Sequence, residues 1–284
     1  MILLTGVTGK TGGASAQALL KKGVPLRAIV RDAEKAAALK AAGVELVVGD
    51  VGDKATLEKA FAGVEKALMT IPNSQKQLEI EKQFVDVAKA KGVKHVVKMS
   101  SMEAVAEATS PIAKIHYDSG EYLKKSGLGW TLMKPNFFMQ NFLGSGATIK
   151  AQNKFFLPMG KGQTVMIDTR DIGACVAEVL TGLGHTGKEY PITGPEVLTF
   201  ADAADRFSKA LGRKIEYVYV PMESYKETLA RFLTNEWHLN AVCSLFNEIA
   251  QWQDLSTTDG VKTLTGKAPI SLEQFVRDHQ AVFT

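Results

Sequence analysis

The sequence predicts an α/β chain built on a doubly wound parallel sheet, followed by a smaller, mostly helical lobe. Three observations predict it. The turn Gly6-Val7-Thr8-Gly9-Lys10-Thr11-Gly12 follows the apolar run Ile2-Leu3-Leu4 directly and opens a segment of helical character. Short apolar runs then recur down the first half, with helix-like segments between them. Glycines stand just past the ends of those segments, where they accept the left-handed conformation that terminates a helix.

The apolar runs lie at 2–4, 26–30, 44–48, 66–71, 95–99 and 130–133. Their near-continuous hydrophobicity marks strands buried on both faces, as in a parallel sheet. Helices are expected over 11–22, 33–42, 54–60, 77–91 and 112–125, closed by Gly23, Gly43, Gly63, Gly92 and Gly127. This alternation implies the strand order 3-2-1-4-5-6. After Pro135 the pattern breaks. Residues 136–152 read as one or two helices rich in Phe and Met, 155–157 as a short strand and 168–183 as a helix. Short strands are expected near 190–193 and 215–220, with a helix between them that Thr199 caps and that ends at Leu211. The tail from Met222 reads as helical. The division is therefore a nucleotide-binding domain over 1–135 and a substrate-side lobe over 136–284, partly interleaved with the main sheet.

A chain of 284 residues suits one large α/β unit with an added lobe. An apolar share of 45% supports a sizeable core. The net charge of +4 is spread along the helices, which gives a mild bias toward anionic ligands and no footprint for nucleic acid. Cys175 and Cys243 sit singly and the five histidines are scattered, so neither a disulfide framework nor a metal site is expected. Glycines break the apolar start too early for a signal peptide, and no run approaches the ~18 apolar residues of a membrane span. The expected home is cytoplasmic.

Strand, glycine turn and helix in that order suit a dinucleotide. Its pyrophosphate sits against backbone N–H groups at a helix N-terminus, where the dipole favours an anion. Gly6 and Gly9 permit the close approach, Gly12 lets the helix pack on the first strand, and Thr8, Lys10 and Thr11 complete the turn. The second strand ends in Arg31, where enzymes that bind NAD carry an acid and those that bind NADP need a cation for the 2′-phosphate. Pairing of Arg31 with Asp32 or Glu34 on the surface is the plain alternative, and Asp32 leaves NAD open. Asp50 can accept from the adenine amino group and Val51 can pack on the ring. Ile71, Pro72 and Asn73 follow the fourth strand, on the carboxyl edge where cofactors lie.

These motifs fall in order with Ser126-Gly127, the run Trp130-Thr131-Leu132-Met133-Lys134-Pro135-Asn136-Phe137-Phe138-Met139-Gln140-Asn141, Asp168-x-Arg170-Asp171-Ile172-Gly173 and Tyr190-x-Ile192-Thr193-Gly194-Pro195. Together they resemble the NmrA-like group of atypical short-chain dehydrogenases/reductases over nearly the whole chain, and within it the NADPH-dependent quinone and triphenylmethane dye reductases. The resemblance implies a Rossmann fold, NADP(H) as cofactor, and either reductase activity on an aromatic or quinonoid small molecule or non-catalytic redox sensing toward a protein partner. It places His116 and Tyr117 in the active site and Pro135, Asn136 and Phe137 against the cofactor. Tyr117, Phe138 and Phe142 are expected toward the substrate, with packing between lobes as the alternative for the phenylalanines. Oligomeric state stays open, a homodimer among the options.

The chain departs from the Tyr-x-x-x-Lys pair of the wider superfamily. Tyr117 is followed at that spacing by Glu121, and Tyr122 by Ser126. This argues against moving a hydroxyl proton, as alcohol dehydrogenation or sugar epimerisation requires. It leaves hydride donation to an electron-poor acceptor open, because the cofactor carries that chemistry. The resemblance makes Tyr117 a hydrogen-bond donor to substrate and His116 an acid near neutral pH, with both as helix residues whose polar tips are satisfied as the alternative.

Overall fold

The computed structural model describes residues 1–284. In chain order the elements are β1 (Ile2–Leu4), α1 (Lys10–Lys21), β2 (Leu26–Val30), α2 (Ala37–Ala41), β3 (Glu45–Val48), α3 (Lys54–Ala60), β4 (Lys66–Met69), α4 (Gln77–Ala90), β5 (His95–Met99), α5 (Pro111–Lys125) and β6 (Gly129–Pro135). Then follow α6 (Gly146–Gln152), β7 (Lys154–Leu157), β8 (Gln163–Thr164), α7 (Thr169–Thr181), β9 (Lys188–Ile192), β10 (Leu198–Thr199), α8 (Phe200–Leu211) and β11 (Glu216–Tyr219). Five helices close the chain: α9 (Met222–Leu229), α10 (Glu236–Ile249), α11 (Gly260–Thr265), α12 (Leu272–Asp278) and α13 (Gln280–Phe283). None is long and apolar enough to cross a membrane.

Seven strands form one sheet in the order β3-β2-β1-β4-β5-β6-β9, and every pair from β3 to β6 is parallel. The first six strands stand in the expected order. Every residue of β1 and of β5 is buried, as strands covered on both faces must be. The chain divides into two compact units: Met1–Ala106, Ile115–Lys134 and Thr169–Pro191 make the first, and Glu107–Lys114, Pro135–Asp168 and Ile192–Thr284 the second. The segment with α7 and most of β9, expected in the second lobe, thus belongs with the sheet.

In the first unit, Leu3, Ile29, Val47 and Ala67 meet Phe61 and Phe84, whose rings sit edge to face at 4.9 Å. α1 lies against α7 so closely that a Cβ on Gly173 would stand 2.5 Å from the Ala14 carbonyl. At the end of α7, the Lys66 ammonium donates to the carbonyls of Leu180 at 2.7 Å and Gly182 at 3.3 Å, satisfying oxygens that a helix end leaves open. The second unit has its own core of phenylalanines, among them Phe142, Phe155, Phe200, Phe207 and Phe275. Thr199 and Asp202 cap α8 reciprocally, and Gly212 ends it in the left-handed conformation.

His95 pins the sheet. Its Nε2 lies 2.9 Å from Thr131 Oγ1, and that hydroxyl donates onward to the His185 carbonyl at 2.6 Å, so the imidazole is the donor. Burial, helped by the cations Lys66 and His185, pushes His95 down to about 4. Between pH 4 and 6.5 the unfolded chain therefore holds a proton that the folded chain refuses. Stability rises with pH across that window and falls on acidification, by roughly 3 kcal/mol for a shift of this size. His95→Gln keeps a donor at the same place and cannot titrate. Urea unfolding of this variant should show a flatter dependence on pH between 4 and 6.5, and a slope equal to that of the parent would refute the assignment.

Candidate active site

The carboxyl ends of β1 to β4 surround a recess of about 240 Å³. Gly6, Thr8, Arg31, Asp50, Val51, Ile71 and Pro72, all expected at the cofactor, line it together. Gly9 is the N-cap of α1, so Lys10, Thr11 and Gly12 form the first turn. No side chain caps that end and no acid stands in its first turn, which leaves it suited to an anion. Gly6 has φ of +67°, and a Cβ there would stand 2.8 Å from the Thr70 carbonyl oxygen. A Cβ on Gly12 would lie 2.2 Å from the Gly6 oxygen, against 3.2 Å for one on Gly9.

Arg31 is exposed and makes no ion pair, so the surface pairing weighed above is not realised. Asp32 is turned onto its own loop, where one oxygen accepts from the Glu34 N–H at 2.9 Å and the other faces Lys35 at 4.0 Å. Asp50 accepts from Gly52 at 2.7 Å. Asn73 follows Pro72 and is half-buried. The buried Thr70 Oγ1 borders the recess with no hydrogen-bond partner, an orphan polar atom of the kind a ligand satisfies.

A second cavity, of about 220 Å³, opens at the carboxyl ends of β5 and β6. Ser100, His116, Tyr117 and Lys134 line it, together with Glu121, Lys124 and Glu189. Lys124 pairs with Glu121 at 2.8 Å and with Glu189, and Glu189 pairs with Lys134 at 3.2 Å. The charges of this chain cancel. Lys134 is engaged in it. Ser100 Oγ is buried and has no partner. Behind the cavity wall, Lys98 donates to Glu81 at 2.6 Å and approaches His116 Nδ1 at 3.3 Å. Lys98 and Glu81 are 0% and 1% exposed, so this is an ion pair inside the protein. Burial pushes His116 down to about 4, and the Lys98 cation adds to the effect. His116 is thus neutral at pH 7, and the expectation of an imidazolium acid near neutrality is corrected.

The residues expected from the run after β6 take other places. Phe142 is 1% exposed and meets Phe137, Phe155, Phe200 and Phe207 at centroid distances of 5.1–6.3 Å. It is a core residue of the second unit, not a substrate contact. The Phe137 ring is buried in the same core, and the Asn136 side-chain Oδ1 accepts from the Val165 N–H at 3.0 Å. Both side chains are engaged within the second unit. Pro135 ends β6 and is buried. Phe138 is half-buried and outside that core cluster.

Sequence reading missed Ser100, Lys98 and Glu81. For Ser100 a signal existed, a hydroxyl directly after a buried strand on the carboxyl edge. For the ion pair there was only Lys98, a charge inside an apolar strand run, and nothing that marked Glu81 as its partner.

A glycine cradle, an uncapped helix end and a lone arginine on the carboxyl edge of a parallel sheet define a dinucleotide-binding α/β protein. The comparisons narrow the class. The NmrA-like family profile matches residues 1–276, and the chain belongs to that family. It is 32% identical over 283 residues to the NAD(P)H azoreductase of Xenophilus azovorans, covering 100% of this chain and 99% of the relative. Among solved structures, it is similar to Citrobacter sp. triphenylmethane reductase in complex with NADP(H), with a TM-score of 0.86, 27% identity and coverage of 98% of this chain and 99% of that one. An NADPH complex of an NADPH-dependent quinone oxidoreductase from Escherichia coli gives 0.86 at 26% identity, covering 99% of this chain and 100% of that one.

Two predictions separate fold from binding. Gly12→Ala drives a carbon into backbone and should cost the fold a large part of its stability, read as a drop in Tm. Gly9→Val should stay folded and lose cofactor binding by calorimetry; retained affinity would place the nucleotide elsewhere. Phe142→Ala should lower stability by about 3–5 kcal/mol, as for other buried aromatics, and chemical denaturation would expose a smaller loss.

Proposed function

We propose that this protein is an NADPH-dependent reductase of quinone-like or other conjugated aromatic acceptors. The observation that carries the reading is the recess on the carboxyl edge of the sheet, with Arg31 unpaired at its rim and Asp32 turned away. The relatives, named for azo, quinone and dye reduction, support the same reaction class.

In this reading the Gly6–Gly12 turn and the start of α1 hold the pyrophosphate, and Arg31 holds the 2′-phosphate. Asp50 and Val51 take the adenine, and Thr70 supplies a hydroxyl to the nucleotide. When bound, the cofactor supplies a hydride from its nicotinamide ring. The second cavity orients the acceptor through Ser100, His116 and Tyr117. No side chain there is an obligatory acid: Tyr117 lacks the lysine four residues on, and His116 carries no spare proton at pH 7. A quinone accepts a hydride and takes its proton from water, leaving hydroquinone.

A charge-assisted contact to the 2′-phosphate contributes about 1.5–3 kcal/mol, roughly ten- to a hundred-fold in affinity. Arg31→Ala should lose that much for NADPH and almost nothing for NADH in calorimetry; equal losses would refute the phosphate assignment. NADPH oxidation measured against quinones, azo compounds and triphenylmethane dyes tests the reaction itself. If none is reduced by protein that binds NADPH, the redox-sensing reading takes its place.

A further inference from the structure

The buried Lys98–Glu81 pair sits where nothing in nucleotide binding requires it. Burying two charges is costly, and a well-packed apolar pair in their place is often as stable or more so. Glu81 is fully used: one oxygen accepts from Lys98 and the other from Gln77 Nε2 at 3.1 Å. Burial raises the Glu81 carboxyl, but the charge and hydrogen bond of Lys98 outweigh it and hold it below the ordinary range; burial likewise lowers Lys98, and Glu81 opposes that shift. An ammonium has three donors and no acceptor. Lys98 directs one N–H at Glu81, and His116 Nδ1 lies in reach of another. Nδ1 must therefore accept, and the ring proton of a neutral His116 resides on Nε2.

Lys98 does not line the second cavity and His116 does. The imidazole edge turned to the cavity is then the one opposite Nδ1, which carries Nε2–H. Ser100 Oγ, buried without a partner, borders the same cavity. The cavity thus offers two neutral donors beside a ring of charges that sum to zero. At about 220 Å³ it is smaller than the ~300–1,000 Å³ of typical ligand sites. Its volume suits a single ring.

We propose that the Lys98–Glu81 pair is a positioning device that fixes His116 as its Nε2–H tautomer, so that His116 and Ser100 hold a single-ring acceptor by a carbonyl oxygen. The inference rests on the reductase reading for the identity of the ligand, but not for the tautomer. Hydrogen bonds to a quinone oxygen strengthen as negative charge develops there, so donors placed in advance assist reduction without giving up a proton.

Three measurements test it. Long-range ¹H–¹⁵N spectra of the parent protein at pH 7 should show His116 protonated at Nε2 only; protonation at Nδ1 overturns the proposal. Lys98→Met with Glu81→Leu removes both charges together, which avoids the unpaired charge of either single change. The folded double variant should show a mixture of tautomers, and a spectrum like the parent's would refute the positioning role. Adding duroquinone, a single-ring quinone, to protein loaded with NADP⁺, where no turnover occurs, should shift the His116 Nε2 resonance, and no shift at saturation places the acceptor elsewhere. In steady-state assays with 1,4-benzoquinone, His116→Phe should lower kcat/KM about 10- to 100-fold. His116→Gln carries an amide donor at the Nε2 position and should recover most of that loss, whereas His116→Asn should not. NADPH affinity should be the same in all three. Equal losses for Gln and Phe would mean that His116 transfers a proton and does not merely donate a hydrogen bond. Absence of turnover in the parent would refute the reductase reading, while the tautomer and titration spectra would still decide the role of the pair.

Discussion

A carbon atom added to Gly12 would stand 2.2 Å from the Gly6 carbonyl oxygen, and this single constraint governs the first unit. α1 can approach β1 only because position 12 has no side chain. The approach aims the open N-terminus of the helix along the carboxyl edge of the sheet, where Arg31 and Asp50 arrive from the neighbouring strands. It is reinforced from the other side, where Gly173 lets α7 close on α1 at the same short range. The placement of the helix end beside the recess therefore depends on this close approach.

The second feature of the unit is electrostatic. Most charged groups lining the second cavity lie within reach of water and cancel, and surface pairs of this kind contribute little. Lys98 and Glu81 differ because water does not reach them. Their interaction is strong, but so is the cost of removing both ions from solvent, and the balance gives no obvious gain in stability. The pair also acts on its neighbour: a cation 3.3 Å from Nδ1 adds to the effect of burial in disfavouring a charged His116.

Membership of the NmrA-like family fits a site in which the expected Tyr-x-x-x-Lys pair is absent. Glu121 occupies the place of the lysine and forms an ion pair with Lys124 on its own helix. An acid thus stands where the superfamily pattern has its cation. An enzyme of this design depends on placing two rings together and on hydrogen bonds prepared beforehand, more than on moving a proton.

The sequence alone determined the sheet, its strand order, the glycine turn and the arginine at the end of the second strand. These depend on local signals: apolar runs of strand length, glycines at fixed offsets and one arginine at a strand end. It could not decide which phenylalanines face a ligand. The run Phe137 to Phe142 carries the same apolar signal whether it lines a pocket or fills a core, and only packing against Phe155, Phe200 and Phe207 assigned Phe142 to the core. Nor could it assign α7 and β9 to the sheet, since a break in the pattern does not say where the chain returns. His116 is the clearest case. Its residue type suggests an acid near neutral pH, but burial lowers its pKa, and Lys98, eighteen positions away in the sequence, adds to the effect from the neighbouring strand. Hydrophobic periodicity acts through neighbours along the chain, whereas desolvation and Coulomb interactions act through neighbours in space, and those exist only once the chain has folded.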